Sequence, residues 1–119
     1  MKEHTRRAVA FIAARLVSRR RSGSVYDYRN GRHFNFSGDA NSRGVSVYDY
    51  AEGCHVSGSG GPNFSLYHYG NSRHINLRVD GESFQGYDYD SSSHFSGRVN
   101  GNSVSLYDYG TGSHYNFAA

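Results

Sequence analysis

Residues 24–36, "SVYDYRNGRHFNF", are the first of five copies of one pattern. The other copies are "SVYDYAEGCHVSG" from Ser46, "SLYHYGNSRHINL" from Ser65, "QGYDYDSSSHFSG" from Gln85 and "SLYDYGTGSHYNF" from Ser105. Successive first tyrosines are 22, 19, 20 and 20 residues apart, and a histidine stands seven residues after each of them. A fixed offset in five copies is the signature of a repeat architecture.

Each repeat predicts two β-strands joined by a turn. The first half, such as "SVYDY", alternates in polarity, and the four residues after it are turn formers such as "RNGR" or "GTGS". The Asp-Gly and Asn-Gly pairs of "VDGES" (79–83) and "VNGNS" (99–103) predict tight reversals between repeats. We therefore expect ten strands and no helix after residue 22, which is an all-β fold.

Strand alternation divides every repeat into two faces. In the first repeat, the tyrosines and His33 share one face, while Val25, Asp27 and Phe34 lie on the other. Either face can be the inner one.

Two architectures fit ten such strands. In a meander of hairpins, Tyr28 lies opposite His33 and Tyr26 lies opposite Asn35. In a solenoid, repeat stacks on repeat and like residues form columns about 4.8 Å apart. The sequence favours a five-coil β-solenoid over residues 22–119 with cross-β ladders, because stacking rewards identical residues. The predicted ladder consists of Tyr26, Tyr28, His33, Tyr48, Tyr50, His55, Tyr67, Tyr69, His74, Tyr87, Tyr89, His94, Tyr107, Tyr109 and His114.

Residues 1–21 differ from the repeats in charge and pattern. They carry seven Lys or Arg and one acid, and Arg15 interrupts a short apolar run that is too short to span a membrane. Three interpretations stay open: a disordered or loosely helical leader, a degenerate export signal, and an amphipathic helix on a membrane surface. The predicted organisation is thus a basic leader, 1–21, followed by a repeat domain, 22–119.

Composition narrows the class of function. The repeats are mildly acidic, with six Arg against nine acids, which argues against nucleic acid as a partner. Cys54 is the single cysteine, so the chain forms no internal disulfide and no zinc knuckle. The repeated His and Asp columns fall on opposite faces and do not converge on one cleft. We therefore expect no enzyme activity, no resident metal and no cofactor.

The rhythm of the repeats resembles that of curlin, the subunit of the bacterial extracellular amyloid curli. Ser22, Ser83 and Ser103 lie six residues before the second tyrosine of their repeats, and each second tyrosine lies five residues before a histidine. Tyrosine stands where curlin has Gln, and histidine where it has Asn. The stretch "VYDYRNGRHF" also resembles, more distantly, the Tyr-Asp repeats of large shell-forming toxins.

The curlin resemblance implies a structural subunit of an extracellular, amyloid-like fibre of a biofilm matrix. Such a subunit adds copies of itself end to end through open β edges, and works with a nucleator or secretion machinery. The alternative function is a carbohydrate-binding or cell-surface-binding module, because tyrosine rings arrayed in every repeat can stack on sugars.

Overall fold

The fold is described from a computed structural model, which describes residues 1–19 and 22–119. Arg20 and Arg21, the last residues of the predicted leader, lie outside the described residues. One helix precedes ten strands: α1 (Glu3–Ser18), β1 (Ser24–Asp27), β2 (Arg32–Asn41), β3 (Gly44–Asp49), β4 (Cys54–Gly60), β5 (Asn63–His68), β6 (Arg73–Asp80), β7 (Ser83–Asp88), β8 (Ser93–Asn100), β9 (Ser103–Asp108) and β10 (Ser113–Ala118).

The strands form a closed antiparallel barrel, so the predicted β-solenoid with cross-β ladders is wrong. Each strand pairs with its neighbours in sequence, and β1 pairs with β10 to close the ring. Each strand reverses direction through a turn of a few residues and pairs with the strand before it, as β6 and β7 do around the turn from Asp80 to Ser83. The expectation of an amyloid-like cross-β structure is wrong for the same reason.

Each repeat is a hairpin whose loop geometry is set by one residue. In the first repeat the pairing is Tyr26 with His33, so the alternative meander has the right topology but a register displaced by two residues. The loop spans residues 28–31, with the Gly31 amide donating to the Asp27 carbonyl at 2.7 Å. Gly31 has a φ of +67°, a conformation that favours glycine.

An aspartate orders this loop from inside the barrel. One side-chain oxygen of Asp27 accepts the amide of Arg29 at 2.9 Å. Asp49, Asp88 and Asp108 hold the amides of their own loops in the same way. In the third repeat, the Nδ1 atom of His68 takes over this role and accepts the Asn71 amide at 3.1 Å. The aspartate column is therefore a set of loop caps.

The alternation between two faces is confirmed, and the apolar face is the inner one. Side chains such as Val25, Leu66, Phe84 and Leu106 are at most 2% exposed. About eight strands make a barrel that side chains alone can fill. Ten strands leave more space, and helix α1 occupies it.

Helix α1 is buried on all sides from Thr5 to Arg15. The ring of Phe11 stacks on that of Phe36, with centroids 4.7 Å apart and planes 12° from parallel. Arg15, which interrupts the apolar run, donates to the carbonyl oxygens of Ser22 and Gly38 at 2.7 and 3.1 Å. Its charge is thus hydrogen-bonded within the barrel, which burial requires.

The amino end of the helix meets the aspartates at one end of the barrel. Arg6 pairs with Asp108 at 3.3 Å and stacks on the ring of Tyr115 at 3.8 Å. Arg7 lies 3.9 Å from Asp27 and stacks on Phe34. These different partners fix the rotation of one helix inside five similar repeats.

Candidate binding surface on the outer wall

The tyrosines and histidines of the predicted ladder lie on the outside of the barrel. The first tyrosine of each repeat is half-buried in its strand, and the histidine opposite it is exposed. The second tyrosine begins the loop and is the most exposed large apolar side chain of its repeat. The exposed fractions are 62% for Tyr28, 59% for Tyr50, 54% for Tyr69, 48% for Tyr89 and 59% for Tyr109.

These residues form five separate triplets, one in each repeat. In the fourth repeat, the ring of Tyr87 lies 4.8 Å from that of Tyr89 and 4.7 Å from that of His94, edge to face in both cases. The other four repeats show the same ring contacts, with centroid distances from 4.6 to 5.0 Å, and only the Tyr107–His114 pair is tilted, at 58°, and not edge to face. Among the described residues the ring contacts of the triplets stay within a repeat, so the histidines form no stacked column.

The exposed tyrosines are held in place by the preceding repeat. The Tyr109 amide donates to the His94 carbonyl at 3.1 Å, and its hydroxyl lies 3.3 Å from that of Ser96. The Tyr28 amide donates to the Asn116 carbonyl at 3.2 Å and thereby joins the first repeat to the last. The aromatic surface is therefore preorganised, which lowers the entropy cost of binding a ligand.

A groove of about 760 Å³ crosses this wall over strands β5 to β8. The rings of Tyr87, Tyr109 and His94 line it, together with the side chains of Asn76 and Gln85. Its volume falls within the range of about 300–1,000 Å³ for small-molecule sites. An apolar floor with a few amides and rings is the lining such sites usually have.

The groove lies where the fourth repeat departs from the others. Gln85 and Gly86 stand where the last repeat has Ser105 and Leu106. A Cβ atom on Gly86 would lie 1.9 Å from the carbonyl oxygen of Asn76. Only glycine permits this close approach of β6 and β7. Sequence reasoning missed the groove, although the break in the repeat at these two positions is a signal that could have found it.

The lining of the groove continues into the core. Phe64, Leu77 and Phe95 also line it, although each is at most 4% exposed. On strand β7, Gly86 pairs with Leu77 of β6 on one side and with Phe95 of β8 on the other. Gly86 occupies an inward-facing position of β7, equivalent to that of the buried Leu106 on β9, and it lines the groove together with both of its paired residues.

The barrel interior at the helix amino end holds the titratable groups with perturbed pKa values. Burial raises the pKa of Asp49, against the hydrogen bonds from Glu52 and Ala51 and the charge of Arg7. Burial, followed by the neighbouring His4, lowers the pKa of His68. Burial likewise raises the pKa of the Cys54 thiol. These groups order and fill the barrel end, away from the outer wall.

Other kinds of site find little support in the part of the chain that the structure describes. Residues 1–19 and 22–119 contain no group of three His, Cys, Asp or Glu side chains arranged to hold a metal ion. No helix within the same ranges is long and apolar enough to cross a membrane. The inner aspartates and outer histidines lie on opposite sides of the barrel wall.

Comparisons with protein-family models, curated proteins and solved structures give no match. The resemblance to curlin and to Tyr-Asp repeats therefore stays a prediction from the sequence. The functional argument rests on the geometry of the outer wall.

Proposed function

We propose that the chain is a saccharide-binding module whose outer wall holds a polysaccharide through its tyrosine rings. The observation that carries the proposal is the set of five Tyr-Tyr-His triplets, each presenting a tyrosine that is about half exposed or more. An isolated exposed aromatic residue needs no explanation, but five at equivalent positions do.

The chemistry of the wall suits sugars better than apolar partners. A pyranose ring has one face of C–H groups, which packs on an aromatic ring, and hydroxyl groups at its rim. Around the tyrosines lie hydroxyl and amide side chains such as Ser65, Asn76 and Gln85, which donate and accept hydrogen bonds.

Five equivalent triplets favour a polymer over a single sugar. If each ring contact contributes about 1 kcal/mol, as aromatic contacts do, a single triplet binds weakly. Neighbouring triplets on one wall raise the effective concentration of a linked saccharide for the next triplet. We therefore expect affinity to rise steeply with the length of the saccharide.

The fibre function stays a prediction from the sequence, as do its homopolymer and secretion partners. The fibre prediction depends on strand edges that are open to another copy, whereas β1 pairs with β10 in the closed barrel. The extracellular location and the absence of enzyme activity also stay predictions.

The test is affinity electrophoresis of the full chain through gels that contain neutral or acidic polysaccharides, followed by calorimetry. Replacing the five second tyrosines by serine should abolish retardation, because the stacking surface is lost. Replacing the same five by phenylalanine should preserve most of it. Circular dichroism checks that both variants remain folded. Failure of every polysaccharide to retard the chain, or full retardation of the serine variant, would contradict the proposal.

A further inference from the structure

The groove over β5 to β8 has an arginine, Arg78, among its lining residues. Resting on the proposed function, we propose that it selects a saccharide unit that carries a carboxylate, such as a uronic acid, and that Arg78 contacts this group. Among its lining residues the groove has one arginine and no Asp or Glu. An anionic sugar therefore meets no like charge there.

Arg78 is available to a ligand. Its Nη1 atom donates to the side-chain oxygen of Asn63 at 3.4 Å, and within residues 1–19 and 22–119 no carboxylate forms an ion pair with it. A guanidinium group binds a carboxylate through two parallel hydrogen bonds, and these are among the stronger contacts at a protein surface. The Asn63 amide holds the arginine beside the groove without neutralising it.

The next repeat provides a matched comparison. Arg98 stands four residues after His94, as Arg78 stands four residues after His74. Arg98 lies 3.5 Å from Glu82 and is outside the lining of the groove. Of two equivalent arginines, one is paired with a carboxylate and the other is left beside the groove.

The outer wall as a whole does not repel an anion. Four of the nine acids in residues 22–119 are the buried loop caps Asp27, Asp49, Asp88 and Asp108. Five acids and all six arginines of the repeats remain at the surface. The excess of acids over arginines in the repeats thus comes from the buried aspartates, and the charges at the surface nearly cancel.

The experiment compares polygalacturonate, alginate and hyaluronate with the same polymers after reduction of their carboxylates to alcohols. Calorimetry on the full chain should show binding of at least one acidic polymer about 5- to 10-fold tighter than its reduced form, as for an exposed charge-assisted contact. Added sodium chloride should reduce this difference, because salt screens it.

Variants assign the difference to the groove. Arg78→Gln should remove the preference for the acidic form, whereas Arg98→Gln should leave this preference in place. Tyr109→Ala should weaken both forms, and Tyr28→Ala, at the equivalent position outside the groove, should weaken them less.

The outcomes separate this inference from the proposed function. Equal binding of acidic and reduced polymers, or a preference that survives Arg78→Gln, overturns the inference and leaves saccharide binding intact. If only neutral polysaccharides retard the chain in the electrophoresis panel, the inference is likewise overturned and saccharide binding is left intact. The absence of binding to any polysaccharide overturns both.

Discussion

Replacing Phe11 by alanine tests whether helix α1 is part of the core. Phe11 is 1% exposed and stacks on Phe36 inside the barrel. Truncating such a side chain costs about 3–5 kcal/mol of the free energy of unfolding. Alanine favours a helix over phenylalanine by about 0.5 kcal/mol, which offsets a small part of the loss. The net expectation is a loss of about 3–4 kcal/mol.

The sign of the effect distinguishes a core helix from a free leader. In a helix outside the barrel, Phe11→Ala would leave the stability of the barrel unchanged and raise helix content, because alanine is the better helix former. In the barrel, it removes a core side chain and leaves a cavity.

Urea unfolding followed by circular dichroism measures this difference. With a denaturant slope of about 2 kcal/mol per M, typical of small proteins, the midpoint should fall by about 1.5–2 M. Leu16→Ala, at a half-buried position of the same helix, should give a smaller shift. The stacking contact itself is measured by a double-mutant cycle with Phe36→Ala, for which we expect a coupling of about 0.5–1.5 kcal/mol. An unchanged midpoint for Phe11→Ala would refute the buried helix.

Three further predictions follow from the loops and from barrel closure. Ser72 and Ser92 both have a φ of +53°. Because glycine adopts this conformation without strain, replacing each by glycine should stabilise the chain by about 0.5–1 kcal/mol in thermal unfolding, and a loss would contradict the loop geometry. Burial lowers the pKa of His68 below the value of 6.5 expected when unfolded. The free energy of unfolding should therefore be highest above pH 6.5 and fall as the pH drops further, because the unfolded chain binds the proton that the folded barrel disfavours. His68→Asn should flatten this pH profile, and an equally steep profile would exclude His68 as its source. The Tyr28 amide, bonded to Asn116, should exchange its hydrogen slowly, whereas fast exchange would indicate an open sheet.

The strand pattern and the turns could be predicted from the sequence because both are local. Alternation gave the two faces of each repeat, and the Asp-Gly and Asn-Gly pairs gave reversals at Gly81 and Gly101, both with φ near +60°. The solenoid prediction is wrong because five like repeats are compatible with two architectures. Identical residues at identical positions suit stacked ladders, but they equally suit a ring of like hairpins.

The closure of the barrel depends on contacts between distant residues. Nothing near Asp27 in the sequence indicates that β1 pairs with β10. The apolar run of α1 was interpreted as a leader because Arg15 interrupts it, yet Arg15 finds its partners at Ser22 and Gly38 once the barrel forms. A helix with apolar residues on all sides is typical of a buried one, and that signal was available.

Part of the candidate site can be predicted from the sequence. The tyrosines and histidines were singled out as ladder residues, and the structure places them together on the outer wall as triplets. The groove was not visible, because its lining residues come from five separate segments of the chain that the barrel brings together. The sequence does not distinguish Arg78 from Arg98, because the ion pair of Arg98 with Glu82 and the contact of Arg78 with Asn63 depend on the fold.

Saccharide binding at the outer wall is tested most sharply by a nuclear magnetic resonance titration of the full chain with its best-binding polysaccharide. Selectively labelled tyrosine and phenylalanine rings report which part of the wall is occupied and whether the core is affected. The account predicts the largest shifts at Tyr87 and Tyr109, which line the groove, smaller shifts at the exposed tyrosines elsewhere, and unchanged signals from the core ring of Phe11. Tyrosine signals that stay in place while the polysaccharide binds would show that the outer wall is not the binding surface.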